Sequence, residues 1–153
     1  MRLYLAHPTD MRKEIREWEI EFEKETGIEL LNPFYDEKGE DPEYEMIKQV
    51  DSGEIDPEML NRYPDKEFAM KIVQSDLDKI SNCDALVAFI EPDMESFGTP
   101  MELFWSSYCL DKKTYVIIKK MAGHPWILGM ATKIFKDKES FTEWIKNRNI
   151  YKL

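Results

Sequence analysis

Six glycines, two histidines and two cysteines among 153 residues leave several chemistries without their usual residues. Neither a GxGxxG nor a Walker A sequence occurs, so the common phosphate-cradling loops are missing. His7 and His124 stand far apart and outside any HExxH or HxH pattern, and Cys83 and Cys109 match no zinc spacing. No metal site is therefore expected. Two cysteines make no disulfide framework; both sit in apolar stretches and read as inert core thiols, and a reducing, cytoplasmic location is expected. No apolar run approaches the roughly 18 residues of a membrane span, and residues 1–8 break before a signal-peptide apolar region forms, so no membrane partner is expected. Positive charge is also short. With 21 bases against 31 acids the net charge is −10, and a nucleic-acid polymer is not an expected partner.

What is present is a globular composition, 42% hydrophobic and 34% charged, of a length that suits one domain over residues 1–153. Residues 36–58 hold ten acids and two lysines, eight of the ten net negative charges. This acidic insert, at about 36–64, is punctuated by Pro42, Pro57 and Pro64. It reads either as a solvated loop with a short helix or as a lid over a site.

Apolar patterning supplies the rest. Residues 3–6 read as a short buried strand. Met11, Ile15, Trp18 and Phe22 recur at helical spacing, with Thr9 or Asp10 as a possible cap and Gly27 as the stop. A strand at 28–32 ends at Pro33. A long helix runs from about Asp65 to Ile80. Residues 84–90 form the clearest strand, continuously apolar and so covered on both faces. A loop at 91–99 leads into a helix from Pro100 to about Leu110, then a strand at 115–118. A short helix at 125–131, a last strand at 132–135 and a helix around Phe141, Trp144 and Ile145 complete the chain. Alternating strands and helices predict a doubly wound parallel sheet of about five strands. Ligands of such sheets sit beyond the carboxyl ends of the strands, here near residues 6–10 and 91–102.

Two carboxylates stand out by position. Asp76 falls in the row 69, 72, 73, 76, 80 of its helix; either it faces inward, where a carboxylate must be paired or useful, or Leu77 fills the stripe and Asp76 lies on its solvated edge. Glu102 closes the run Thr99-Pro100-Met101-Glu102, which has the form of a capping box with Thr99 as N-cap. The same place suits a nucleophile or base at the ligand edge. Spacing leaves both pairs of readings open. His7 is of interest because it follows the first strand, and His124 reads as a surface loop residue.

At these residues the chain resembles the nucleoside 2-deoxyribosyltransferase family, which includes related 2'-deoxynucleoside 5'-monophosphate N-glycosidases. Tyr4-Leu5-Ala6-x-Pro8 resembles the family's first strand. Ser75-Asp76-Leu77-x-x-Ile80 resembles its Asp-bearing helix, and Asn82-Cys83-Asp84-Ala85-Leu86-Val87-Ala88 its third strand. Ser96-Phe97-Gly98-Thr99-Pro100-Met101-Glu102-Leu103 resembles its nucleophile loop, and residues 112–118 the strand that follows.

The resemblance implies a flavodoxin-like α/β fold and cleavage of the N-glycosidic bond of 2'-deoxynucleosides without a cofactor. It implies Glu102 as nucleophile on C1', Tyr4 positioning it and Asp76 protonating the departing base, with Ser96, Gly98, Ala6 and His7 lining the substrate. It also implies a small nucleoside or nucleotide as partner and a homo-oligomer, with Phe104, Trp105 and Trp126 as aromatic supply for an interface. Departures are specific. Ser96 stands where the transferases carry Asp and resembles the monophosphate glycosidases, whose Gly/Arg-rich first loop is here His7-Pro8-Thr9-Asp10. The usual Gly-Tyr-Ala after Glu-Leu is Phe104-Trp105-Ser106. The segment that lends an amide to a neighbouring subunit in the transferases reads Trp126-Ile127-Leu128-Gly129, without Asn. The expected activity is thus deoxyribosyl transfer between bases; hydrolysis of a 5'-monophosphate, or non-catalytic nucleotide binding, stands as the alternative.

Overall fold

The computed structural model describes residues 1–36, 41–61 and 65–148. Five strands, β1 (Arg2–Ala6), β2 (Glu29–Leu31), β3 (Ala85–Phe89), β4 (Lys113–Ile117) and β5 (Lys133–Phe135), form one sheet of order β2-β1-β3-β4-β5, with every pairing parallel. This is the flavodoxin-like α/β fold. Its strand order reverses between β1 and β3, so a crevice opens beyond their carboxyl ends.

The twofold period of a strand sorts side chains onto the two faces. Leu3, Leu5, Ala85, Val87 and Phe89 face one layer, where α1 (Arg12–Thr26) contributes Ile15 and Phe22 and α6 (Lys138–Asn147) contributes Phe141 and Ile145. Phe141 is fully buried and stacks on Phe22 at 5.5 Å between ring centroids. Tyr4, Ala6, Leu86 and Ala88 face the other layer, against Ile80 of α3 (Lys66–Asn82), Leu103 of α4 (Gly98–Phe104) and Ile127 of α5 (Pro125–Met130). Helices therefore cover both faces, which is why β3 is apolar throughout.

Three local expectations change. Residues Thr9–Met11 form a 3-10 turn, and α1 starts at Arg12 with no side-chain cap; Gly27 does end it, at φ 69°. The helix expected from Pro100 starts two residues earlier, at Gly98, and passes at Trp105–Cys109 into a π turn, an arrangement frequent at functional sites. Cys83 is buried as expected, and burial pushes its thiol up to about 11, but Cys109 is exposed. Cys109 is the last residue of the π turn, whose one buried residue is Ser106.

The acidic insert is better ordered than a solvated loop in its described part; residues 37–40 and 62–64 lie outside the described residues. Asp41-Pro42 opens α2 (Pro42–Asp51), and the Asp41 carboxylate accepts the amides of Glu43 and Tyr44. Met46, Ile47 and Val50 then pack with Phe34 and Leu60 into a small core of their own. Lys79 of α3 pairs with both Asp41 and Asp36, fastening the insert to the helix that carries Asp76.

Candidate active site

Tyr4 reaches the α3–α4 side of the sheet because its parity in β1 leaves no other choice. It is opposite Leu86 in the register of β1 and β3, beside the reversal of strand order, and is fully buried. Asp76 arrives from α3. Ile72 and Ile80, its neighbours one turn before and one turn after, are the buried residues of that helix, so Asp76 faces inward between them. Val73, which the sequence placed in the same row, is 46% exposed. Glu102 arrives from the second turn of α4.

These three side chains meet. The Tyr4 hydroxyl donates to Glu102 Oε1 at 2.6 Å. Asp76 stands close enough to both to repel charge on either one, and its Oδ1 is buried without a hydrogen-bond partner among the described residues. The first turn of α4 carries no side-chain cap, and Thr99 is buried, its Oγ1 accepting from Ser96 Oγ at 3.0 Å. The capping-box reading of Glu102 therefore does not hold: Thr99 lies inside the helix, and the Glu102 carboxylate turns to Tyr4 instead.

The environment separates the two carboxyl groups. Burial pushes Glu102 up to about 7, while the bond from Tyr4 pulls it back toward the charged form. Burial first, then the charges of Glu102 and Glu43, push Asp76 up to about 9, against a smaller opposing effect of Tyr4. Burial and the same carboxylates hold the Tyr4 phenol well above its ordinary value, so it remains a donor. Near neutral pH the cluster thus holds a protonated Asp76 and a Glu102 that ionises. Two acids whose environments drive them apart can divide the roles of acid and nucleophile.

The remaining expected residues sit around this cluster unequally. Ala6 is buried two residues beyond Tyr4 on the same face. Ser96 precedes α4, and Gly98 is its first residue; a Cβ at Gly98 would meet no atom within 4 Å, so internal packing does not demand glycine there. His7 is tied elsewhere. Its Nδ1 lies 2.9 Å from the Pro8 carbonyl and its Nε2 3.2 Å from Asn32 Oδ1, and Asn32 in turn donates to buried Glu19 at 2.9 Å. Burial lowers His7 to about 4, so the ring is neutral and carries one proton, which the shorter Pro8 contact takes.

Sequence reasoning missed Glu43, which is 8% exposed and lies within electrostatic reach of both Asp76 and Tyr4. The Asp41-Pro42 pair was a usable helix-start signal, but Glu43 itself is hidden among ten acids. Phe97 and Tyr108 were also missed; with Met101 and Phe104 they form an exposed apolar stripe, whereas Trp105 is half-buried. His124 is exposed as expected and caps α5. Among the described residues no three His, Cys, Asp or Glu side chains converge as a metal would require, and no helix is long and apolar enough to cross a membrane.

Comparison with solved structures finds the same fold in proteins of low identity. The chain is similar to a 2-deoxyribosyltransferase from the psychrotolerant bacterium Bacillus psychrosaccharolyticus, with TM-score 0.60 and 18% identity over 93% of this chain and 90% of that one. It is similar to a conserved protein from Enterococcus faecalis V583, with TM-score 0.63 and 14% identity over 97% and 98%. It is also similar to a CMP N-glycosidase of Clostridium botulinum, with TM-score 0.54 and 18% identity over 96% and 99%. No family model matches the chain, and no curated protein matches it. At these identities the likeness is one of fold.

Proposed function

We propose that this protein cleaves the N-glycosidic bond of 2'-deoxynucleosides and transfers the deoxyribosyl group to a second base through a covalent ester on Glu102. The observation that carries this reading is the 2.6 Å bond from Tyr4 to Glu102 beside the inward-facing Asp76, whose carboxyl group burial pushes toward its protonated form. The likeness of fold to a 2-deoxyribosyltransferase and a CMP N-glycosidase supports the same class of chemistry.

In the first step a Glu102 oxygen attacks C1' as the bond from C1' to the base breaks. Asp76 gives its proton to the departing base and becomes a carboxylate. The transition state has oxocarbenium character, which the missing 2'-hydroxyl eases. Tyr4 holds Glu102 in line and stabilises its charge before attack. In the second step Asp76 takes a proton from the incoming base, whose nitrogen attacks C1'; the ester breaks and both carboxyl groups return to their starting states. Two displacements give retention, as in retaining glycosidases. Water in place of the second base makes the enzyme a hydrolase. Ser96 favours that alternative for 5'-monophosphates, because a hydroxyl donates to a phosphate that an Asp would repel.

The test is a product assay. Deoxyinosine, thymidine and their 5'-monophosphates are each incubated with and without adenine, beside the Glu102→Gln protein. A new deoxynucleoside formed only with adenine supports transfer. Free base released mainly from the monophosphates favours hydrolysis. No product from any substrate, with both proteins alike, overturns the catalytic reading.

The homo-oligomer belongs to the same proposal. Phe97, Met101, Phe104 and Tyr108 recur at helical spacing along α4 and the π turn; Phe97 is 84% and Tyr108 73% exposed, and Phe104 lies 6.4 Å from the Trp126 ring. Two copies that each carry a net charge of −10 approach best through a face without charge, and a stripe along one helix pairs with itself about a twofold axis.

A further inference from the structure

The amino ends of the strands, opposite the carboxylate cluster, hold a cleft of their own. From its lining we infer a second binding site, one that takes an uncharged amino-heterocycle of nucleobase size between the last turns of α1 and α6. The inference does not rest on the proposed reaction, because Tyr4, Asp76 and Glu102 take no part in the cleft.

The cleft has a volume of about 880 Å³, within the usual range of small-molecule pockets. Ile28, Ala85, Tyr115 and Ile145 supply its apolar base. Tyr115 is 2% exposed, and its ring packs on Phe141 and Trp144 at 5.9 and 5.3 Å between centroids. Its hydroxyl has no hydrogen-bond partner among the described residues, where a buried phenol ordinarily finds one. The charge of Arg148, at the C-terminal end of α6, reaches that hydroxyl, and Ile145 and Lys146 of the same helix end line the cleft. The phenol therefore presents its unmet hydrogen bond at the cleft. Acceptors come from the helix ends. Glu25, Thr26 and Gly27 bring the end of α1 to the cleft, and the last carbonyls of a helix have no partner within it. A ring that donates from amino groups and accepts at ring nitrogens meets these carbonyls and the phenol together. Charge selects against ions. Lys146 is held by Glu25 at 3.0 Å across α6 and α1, Lys112 by three carbonyls, and Asp84 by the Arg2 amide at 2.7 Å. Asp111 and Lys113 are left without an ion pair among the described residues, and their signs are opposite. A charged ligand thus gains no net counter-charge to offset its desolvation.

Adenine alone is the probe, titrated into the full chain while the isoleucine δ-methyl signals are followed by NMR. Ile28→Val and Ile145→Val assign the two signals that matter. Both are expected to shift together and to saturate. Tyr115→Phe keeps the ring packing and removes the hydroxyl; it is expected to raise the Kd read from those signals about tenfold, with the melting temperature near that of wild type. The anion benzoate is expected to leave them unmoved. No shift, or shifts confined to Ile80 and Ile127 in the layer of Tyr4, would keep adenine out of the cleft and overturn the inference. An unchanged Kd in Tyr115→Phe overturns it too, as does benzoate moving Ile28 and Ile145 as strongly as adenine. Saturable shifts of Ile28 and Ile145 in a protein that turns over no deoxynucleoside support the cleft and sink the proposed reaction alone.

Discussion

Tyr4 and Glu102 lie 98 residues apart in the chain and 2.6 Å apart in the fold, the phenol donating to the carboxylate. β1 supplies the donor and α4 the acceptor, on either side of the point where the strand order reverses. Tyr4→Phe removes the donor and little buried volume. The kcat is expected to fall about 100-fold, the lower end of what a positioned proton donor contributes. Because the bond favours the charged carboxylate, its loss also moves the acidic limb of the pH profile upward. An unmoved limb would show that Tyr4 only fills space.

The wild-type profile of kcat/KM should be bell-shaped. Activity rises as Glu102 ionises near about 7 and falls as Asp76 loses its proton near about 9. Stability carries the opposite imprint. Between the ordinary carboxylate range and about 9, folded Asp76 holds a proton that the unfolded chain releases, so stability falls as pH rises through that window. Asp76→Asn removes the dependence. It is expected to be inactive and, above about pH 8, more stable than wild type in thermal unfolding. A variant less stable at that pH would place Asp76 in a supporting rather than a chemical role.

His7 gives the reverse slope on the acid side. Burial lowers it from 6.5 to about 4, so the unfolded chain binds a proton that the folded protein refuses. Stability is therefore lost as pH falls through that interval, and His7→Asn should flatten the slope there. Urea unfolding at a series of pH values reads this directly; an unchanged slope would locate the acid sensitivity elsewhere.

How much of this was legible differs by element. The strands, their parallel order and the covered faces follow from apolar periodicity, because residues such as Leu3, Leu5 and Val87 have no alternative burial. Asp76 and Glu102 were legible as candidates by position and Tyr4 through the resemblance, and their meeting needed the sheet register. The Thr99 cap was misplaced because Gly98 and Phe97 let α4 start earlier than a Ser/Thr-x-x-Glu pattern signals. Cys109 was misjudged because no periodicity announces a π turn. Glu43 was invisible because a charge run looks solvated until its helix packs, and that packing depends on distant Lys79.

Lys112 is a further long-range closure with a measurable worth. Its ammonium group donates to the carbonyls of Ile80, Ser81 and Cys83, at and just beyond the C-terminal end of α3. Lys112→Met keeps the aliphatic stem and strips these partners. Hydrogen bonds to a charged group contribute about 1.5–3 kcal/mol, and a loss of about 2 kcal/mol in chemical denaturation is expected, with KM unchanged. A change under about 0.5 kcal/mol would mean that water replaces the ammonium without cost.

Two adjacent residues of the π turn bury polar atoms for which no partner exists among the described residues: the Trp105 indole nitrogen and the Ser106 hydroxyl. Ser106 is fully buried. Ser106→Ala removes an unpaired group and is expected to stabilise the protein by about 1 kcal/mol while leaving kcat and KM alone. Trp105 differs in chemistry, because its indole N–H only donates and its ring packs against the buried layer that contains Tyr4. An indole donor left free in that layer suits an acceptor on the departing base. Trp105→Phe should therefore also raise stability, but at the expense of a higher KM. Parallel melting curves and steady-state kinetics on the two variants separate the cases: if both leave KM untouched, the Trp105 donor is idle, and the π turn serves packing alone.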